Sequence, residues 1–144
     1  CKSKYDWTFD RKELVMSNGI IPALFEMVEY ICKPDEKVLF LTPSYAYFKY
    51  AADASHRESV CSDLINTDGY YTIDYEDLEK KAADEKTTLF ILCNPHNPSG
   101  RVWKEEELKK IGEIIEKNDM WVICSGLIRS IFRWERLCRT IKSL

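Results

Sequence analysis

The chain has 144 residues, 45% of them apolar and 31% charged, with a net charge of −3; this is enough for one folded domain, too few for a large two-domain enzyme, and not the composition of a disordered chain. The acidic balance argues against nucleic acid as a partner, and no apolar run approaches the ~20 residues needed to span a bilayer. No charged start leads into an apolar stretch and a small-residue cleavage site, so the expected address is cytoplasmic.

The chain opens at Cys1 inside what reads as ordered sequence, which leads to the expectation of a fragment. Residues 20–32 set Leu24, Val28 and Ile31 on one helical face, with Pro22 in the first turn, where a missing N–H costs little. A short apolar strand over 38–42 is closed by Pro43, and 44–54 reads as helix. A strand is predicted over 57–62, a turn over 66–69, and a helix over 75–83 capped by Asp74. The segment 88–93 (TLFILC) is the clearest buried strand, and it enters a loop with Pro95, Pro98 and Gly100. Residues 104–117 form the clearest helix, burying Leu108, Ile111 and Ile115, with Glu105–Lys109, Glu106–Lys110 and Glu113–Lys117 at favourable i, i+4 spacing. A last strand covers 120–125. Alternating helices and near-continuous apolar strands predict an α/β fold, a mostly parallel sheet with helices on both faces.

The six cysteines, Cys1, Cys32, Cys61, Cys93, Cys124 and Cys138, stand mostly about thirty residues apart with no CxxC pair. They read as small hydrophobes, because the only histidines are His56 and His96 and zinc-ligand spacing is missing. No metal site is expected. Neither GxGxxG nor a Walker A sequence is present, which removes a nucleotide-binding Rossmann domain from contention.

Ligands of open α/β sheets sit beyond the carboxyl ends of the strands, and three stretches carry candidate chemistry there. In Ser17-Asn18-Gly19-Ile20-Ile21-Pro22, N–H groups at a helix start could cradle a phosphate; an ordinary glycine turn is the plain alternative. After the first strand, Tyr45 could stack on a planar ligand or simply pack. In Asn94-Pro95-His96-Asn97-Pro98-Ser99-Gly100-Arg101 two prolines and a glycine hold two asparagines in place, as ligand orientation requires.

Gly-Ile-Ile-Pro-Ala-Leu (19–24), Thr-Pro-Ser-Tyr-Ala-Tyr-Phe (42–48) and Cys-Asn-Pro-His-Asn-Pro-Ser-Gly-Arg-Val-Trp (93–103) together resemble the class I/II aminotransferase superfamily of fold-type-I pyridoxal 5′-phosphate (PLP) enzymes. The third stretch is specific to the MalY/PatB-type branch of cystathionine β-lyases and cysteine-S-conjugate β-lyases. The likeness runs from about residue 5 to residue 125 and includes residues 69–79. It implies part of a PLP-transferase large domain over 1–128, with PLP as cofactor, an amino-acid substrate, and a homodimer in intact members. It further implies that the N–H groups of Gly19, Ile20 and Ile21 hold the cofactor phosphate, that Tyr45 stacks on the pyridine ring, and that Asn97 donates to the ring 3′ oxygen. The implied reaction is β-elimination to a thiol, pyruvate and ammonia, or a transamination, which these motifs do not separate.

Two groups of the family pattern are missing. The family's Asp-Glu-Ile-His stretch, whose aspartate keeps the pyridine nitrogen protonated, reads Ser125-Gly126-Leu127-Ile128-Arg129 here, with Gly126 at the aspartate position. The lysine that holds the cofactor covalently and shuttles protons has no counterpart, since Lys142-Ser143 has the wrong order and context. Losing one charge-assisted hydrogen bond costs about 1.5–3 kcal/mol, so cofactor binding by this chain is expected to be weak or absent, with no catalytic residue and no turnover. The alternative is a non-catalytic relic, or a domain that binds phosphate compounds weakly and associates with itself. Residues 129–144 diverge: Arg129, Arg133, Arg136, Arg139 and Lys142 against Glu135 give +4. Their spacing fits a basic amphipathic helix, although a stretch altered by mutation or a change of frame is the favoured explanation.

Overall fold

The structure is a computed structural model that describes residues 10–126. The basic tail over 129–144, together with Cys1 and Cys138, lies outside the described residues. Asp10 caps a short 3-10 turn, Arg11–Glu13, and an exposed segment then leads to helix α1, Ile20–Ile31. Strand β1, Lys37–Thr42, follows, then α2, Tyr47–Ala54, and β2, Glu58–Asp63. A hairpin of β3, Ile65–Thr67, and β4, Tyr70–Thr72, comes before α3, Tyr75–Ala82. The last described elements are β5, Thr87–Cys93, α4, Glu105–Lys117, and β6, Trp121–Ser125.

The main sheet has the order β2-β1-β5-β6 and every pairing in it is parallel. Side chains alternate across it with the period of two that a strand imposes. Val38, Phe40, Leu89, Ile91, Cys93 and Ile123 face one layer, where α1 and α2 supply Leu24, Val28, Phe48, Ala51 and Ala52. Leu39, Leu41, Phe90, Leu92 and Val122 face the other, filled from α3 and α4 by Leu78, Ala82, Leu108, Ile111, Ile114 and Ile115. β1 and β5 are buried on both sides, hence their unbroken apolar sequence. The predicted α/β class and two-sided covering are what the structure has.

Differences from expectation have local causes. The second helix starts at Tyr47 rather than at 44, because Pro43 to Tyr45 form a loop off the strand end. The turn over 66–69 is the tip of a hairpin: Asp68 and Gly69 both have positive φ between Thr67 and Tyr70, the two-residue turn that suits twisted strands. Glu105 and Lys109 pair at 2.8 Å as the spacing predicts, but Lys117 reaches Glu79 on α3, and Lys110 lies 5.0 Å from the centre of the Tyr75 ring. No helix among the described residues is long and apolar enough to cross a membrane.

Candidate ligand site at the strand ends

From β1 the chain first builds β2 on one side, then returns to place β5 on the other. Such a reversal opens a crevice beyond the carboxyl ends of the two strands involved, the usual ligand position in an open α/β sheet. The loops at this crevice are Pro43 to Ala46, leaving β1, and Asn94 to Lys104, leaving β5. Tyr45 is in the first and Asn97 in the second.

Helix α1 packs on β1 through Leu24 and Val28, and only five residues join the two. A 12-residue helix rises about 18 Å and a six-residue strand about 20 Å. The start of α1 is therefore carried back to the end of the sheet where Thr42 lies. Gly19 caps it with φ of 145°, a conformation that a side chain would strain. The Ser17 hydroxyl donates to the Gly19 carbonyl at 3.1 Å, and the Ala23 N–H donates to it at 3.4 Å. The N–H groups of Gly19, Ile20 and Ile21 precede the first intrahelical bond, and Pro22 has none to offer. Gly19 and Ile20 are exposed and Ile21 is half-buried, so this positive helix end faces solvent.

Tyr45 is half-buried, its ring 5.2 Å from that of Tyr47 and 5.9 Å, edge-on, from that of Phe48. The ring thus packs at the edge of the core on the α1/α2 side of the sheet while the residue keeps part of its surface in solvent.

The loop after β5 is tied down at several points. The His96 N–H donates to the Arg101 carbonyl and the Gly100 N–H to the His96 carbonyl, each at 2.7 Å. His96 Nδ1 lies 2.7 Å from Ser99 Oγ. Trp103 donates its backbone N–H to Asn94 Oδ1 at 3.1 Å and its indole N–H to the Cys93 carbonyl at 2.9 Å. Asn97, Pro98 and Ser99 form the tip, with Asn97 exposed. Burial holds the His96 imidazole below its ordinary pKa, against a hydrogen bond to the Leu41 carbonyl that acts the other way. Burial likewise pushes the Cys93 thiol up, opposed by the Asn97 N–H. Cys32 and Cys61 are raised by burial too, so these thiols are poor nucleophiles at neutral pH. No group of three or more His, Cys, Asp or Glu is placed to hold a metal ion among the described residues.

At the end of β6, Gly126 crosses directly over the backbone of Asn94, and a Cβ there would overlap the Asn94 carbonyl oxygen. The Asn94 N–H donates to the Ser125 carbonyl at 3.1 Å, which extends the β5–β6 ladder to this crossing. Sequence reasoning missed the Arg101 cluster beside the loop. The Arg101 guanidinium lies 4.4 Å from the centre of the Tyr70 ring and 5.0 Å from that of Trp103, and it pairs with Glu107. Asp68-Gly69 between Ile65-Asn66-Thr67 and Tyr70-Tyr71-Thr72 was the available sign of the hairpin that carries Tyr70.

Comparison with known proteins gives consistent relatives. The chain is 37% identical over 122 residues to cystathionine beta-lyase PatB of Bacillus subtilis, covering 85% of this chain and 32% of that protein. The PLP-bound C-S lyase from Staphylococcus hominis superposes with a TM-score of 0.82 at 50% identity, covering 85% of this chain and 32% of that one. Cystalysin from Treponema denticola, whose structure contains a pyridoxal 5′-phosphate cofactor, gives a TM-score of 0.82 at 36% identity, covering 85% and 31%. This chain thus spans about a third of the length of the relatives it matches. The sequence profile of aminotransferase class I and II matches residues 2–125, and the chain belongs to that family.

Proposed function

We propose that this chain is the cofactor-facing part of the large domain of a PLP-dependent carbon–sulfur β-lyase acting on an amino acid such as cystathionine. The observation that carries the reading is the reversal of strand order between β1 and β5, which sets the loops of Tyr45 and Asn97 side by side at the end of the sheet where α1 begins. The residues present fit three parts of the cofactor. The N–H groups of Gly19, Ile20 and Ile21 would hold its phosphate at an exposed helix start, where negative charge is favoured. Tyr45 would stack on the ring, and the Asn97 side chain, projecting from a stiff loop, would donate to the ring 3′ oxygen.

When bound, PLP supplies an electron-accepting ring that makes the α-proton of an amino acid removable. This chain's own residues bind and orient. None of those described stands as its proton carrier, and Gly126 offers no carboxylate to the ring nitrogen. The chain by itself therefore takes up PLP weakly and does not turn over substrate, and it is at home in the cytoplasm. Completing the site would fall to the parts of the relatives that this chain does not match, and the intact protein would pair as a homodimer. The close crossing of Gly126 and Asn94 favours a second reading, a non-catalytic domain that keeps the phosphate cradle alone.

Titrating the purified chain with PLP and following tyrosine and tryptophan fluorescence tests the first reading. Saturable quenching is expected, weakened about 3- to 10-fold in Asn97→Ala, the worth of one neutral hydrogen bond. Quenching that inorganic phosphate abolishes and Asn97→Ala leaves unchanged would favour the second reading. No cystathionine cleavage is expected in either case.

A further inference from the structure

We infer that Tyr70, on the β3–β4 hairpin, is a positioning residue for Asn97 and acts through Arg101; the inference rests on the ligand role proposed for Asn97 above.

The Asn97 side chain makes no hydrogen bond within the described residues and is exposed, so its direction is set by the backbone on either side. That backbone is closed by the bond from the His96 N–H to the Arg101 carbonyl, backed by the bond from Gly100 to His96. Arg101 thus fastens the foot of the loop with its main chain. Its side chain is only 9% exposed, whereas Tyr70, whose ring lies 4.4 Å from the guanidinium, is 52% exposed. The guanidinium lies over both the exposed Tyr70 ring and the buried Trp103 ring, with Glu107 of α4 as its ion-pair partner. Its Nε has no partner among the described residues, so two ring faces and one carboxylate fix its orientation. A buried cation under an aromatic lid gains more from the ring than an exposed one. Without the ring, water reaches the guanidinium, Arg101 is free to swing outward, and the carbonyl that holds His96 loses its fixed position. Loop and hairpin are thereby coupled across thirty residues of chain.

The test uses the whole chain with Tyr70→Leu, Tyr70→Phe, Asn97→Ala and the double substitution Tyr70→Leu/Asn97→Ala. Two quantities are measured: hydrogen exchange at the His96 and Gly100 amides, and PLP affinity by fluorescence. The inference expects exchange at both amides to rise about 3- to 30-fold in Tyr70→Leu and to stay at the wild-type rate in Tyr70→Phe, because the ring face and not the hydroxyl does the work. It expects Tyr70→Leu to weaken PLP no more than Asn97→Ala does, and to weaken it no further in the Asn97→Ala background. Unchanged exchange in Tyr70→Leu overturns the inference, as do additive losses in affinity, which would mean that Tyr70 reaches the ligand without Asn97. Should wild-type chain take up no PLP while Tyr70→Leu still frees the two amides, the coupling of hairpin to loop stands and the ligand role of Asn97 falls.

Discussion

Gly126 and Asn94 touch main chain to main chain, with no room between them for even a methyl group. The aspartate expected here in the family pattern therefore cannot be regained by changing one residue. Gly126→Ala would have to push Asn94 aside, and overpacking of this kind costs about 1–3 kcal/mol. A lower urea midpoint is expected for Gly126→Ala and a lower one still for Gly126→Asp, with no gain in PLP affinity. An Asp variant as stable as wild type and tighter for PLP would show that the crossing opens readily.

His96 makes stability depend on pH near neutrality. Its folded pKa is depressed, chiefly by burial, so the unfolded chain binds the proton more readily. Stability from this group is full above the ordinary histidine pKa of about 6.5 and falls as pH drops below it. Urea unfolding at pH 7.5 and at 5.5 should show the loss, and His96→Gln should shrink the difference between the two. An undiminished difference would place the proton elsewhere.

A second acid-sensitive group lies where β2 meets α3. Asp77 accepts from Lys81 Nζ at 2.6 Å and from the Ser62 hydroxyl at 2.8 Å, and Lys81 is the main reason its pKa is lowered. The sign is that of a depressed carboxylate: its contribution is present above the unfolded value of 3.8 and drains away as pH falls through the folded one. Asp84 is lowered as well, by the Lys86 N–H and by Lys37. Asp77→Asn should accordingly flatten the acid limb of a stability–pH curve without abolishing it, which denaturant unfolding between pH 5 and 2.5 would reveal.

Asp74 accepts from the Asp77 N–H at 3.0 Å and so caps α3. Asp74→Ala should cost about 0.5–2 kcal/mol, whereas Asp74→Ser should recover most of it. Equal losses in both variants would mean that the carboxylate acts through its charge rather than as a cap.

That cap was visible in the sequence because it depends on residues three apart, and so were the two central strands, whose burial on both faces leaves runs such as Leu89 to Cys93 without a polar break. The hairpin was read only as a turn: Ile65 and Tyr70 are exposed and each strand has three residues, so no alternation builds up. Lys117 shows the limit of spacing rules, since a long side chain at the end of α4 goes to Glu79 on the neighbouring helix. At the site, Gly19, Tyr45 and Asn97 stood out by their local settings and by family likeness. The clasp of Tyr70 on Arg101 had no local signature, because it exists only once hairpin and loop are folded against each other.

The placing of β1 between β2 and β5 has a consequence for how the protein comes to be folded. Phe40 pairs with Cys61 on one side and with Ile91 on the other, more than twice as far along the chain. Closing the longer span costs more entropy before any contact repays it. The order of assembly should then be β1 with β2 first and β5 afterwards, so the crevice between Tyr45 and Asn97 is created by the slower of the two events. A nascent chain halted before residue 87 would own a helix start and a tyrosine but no cleft to set them around.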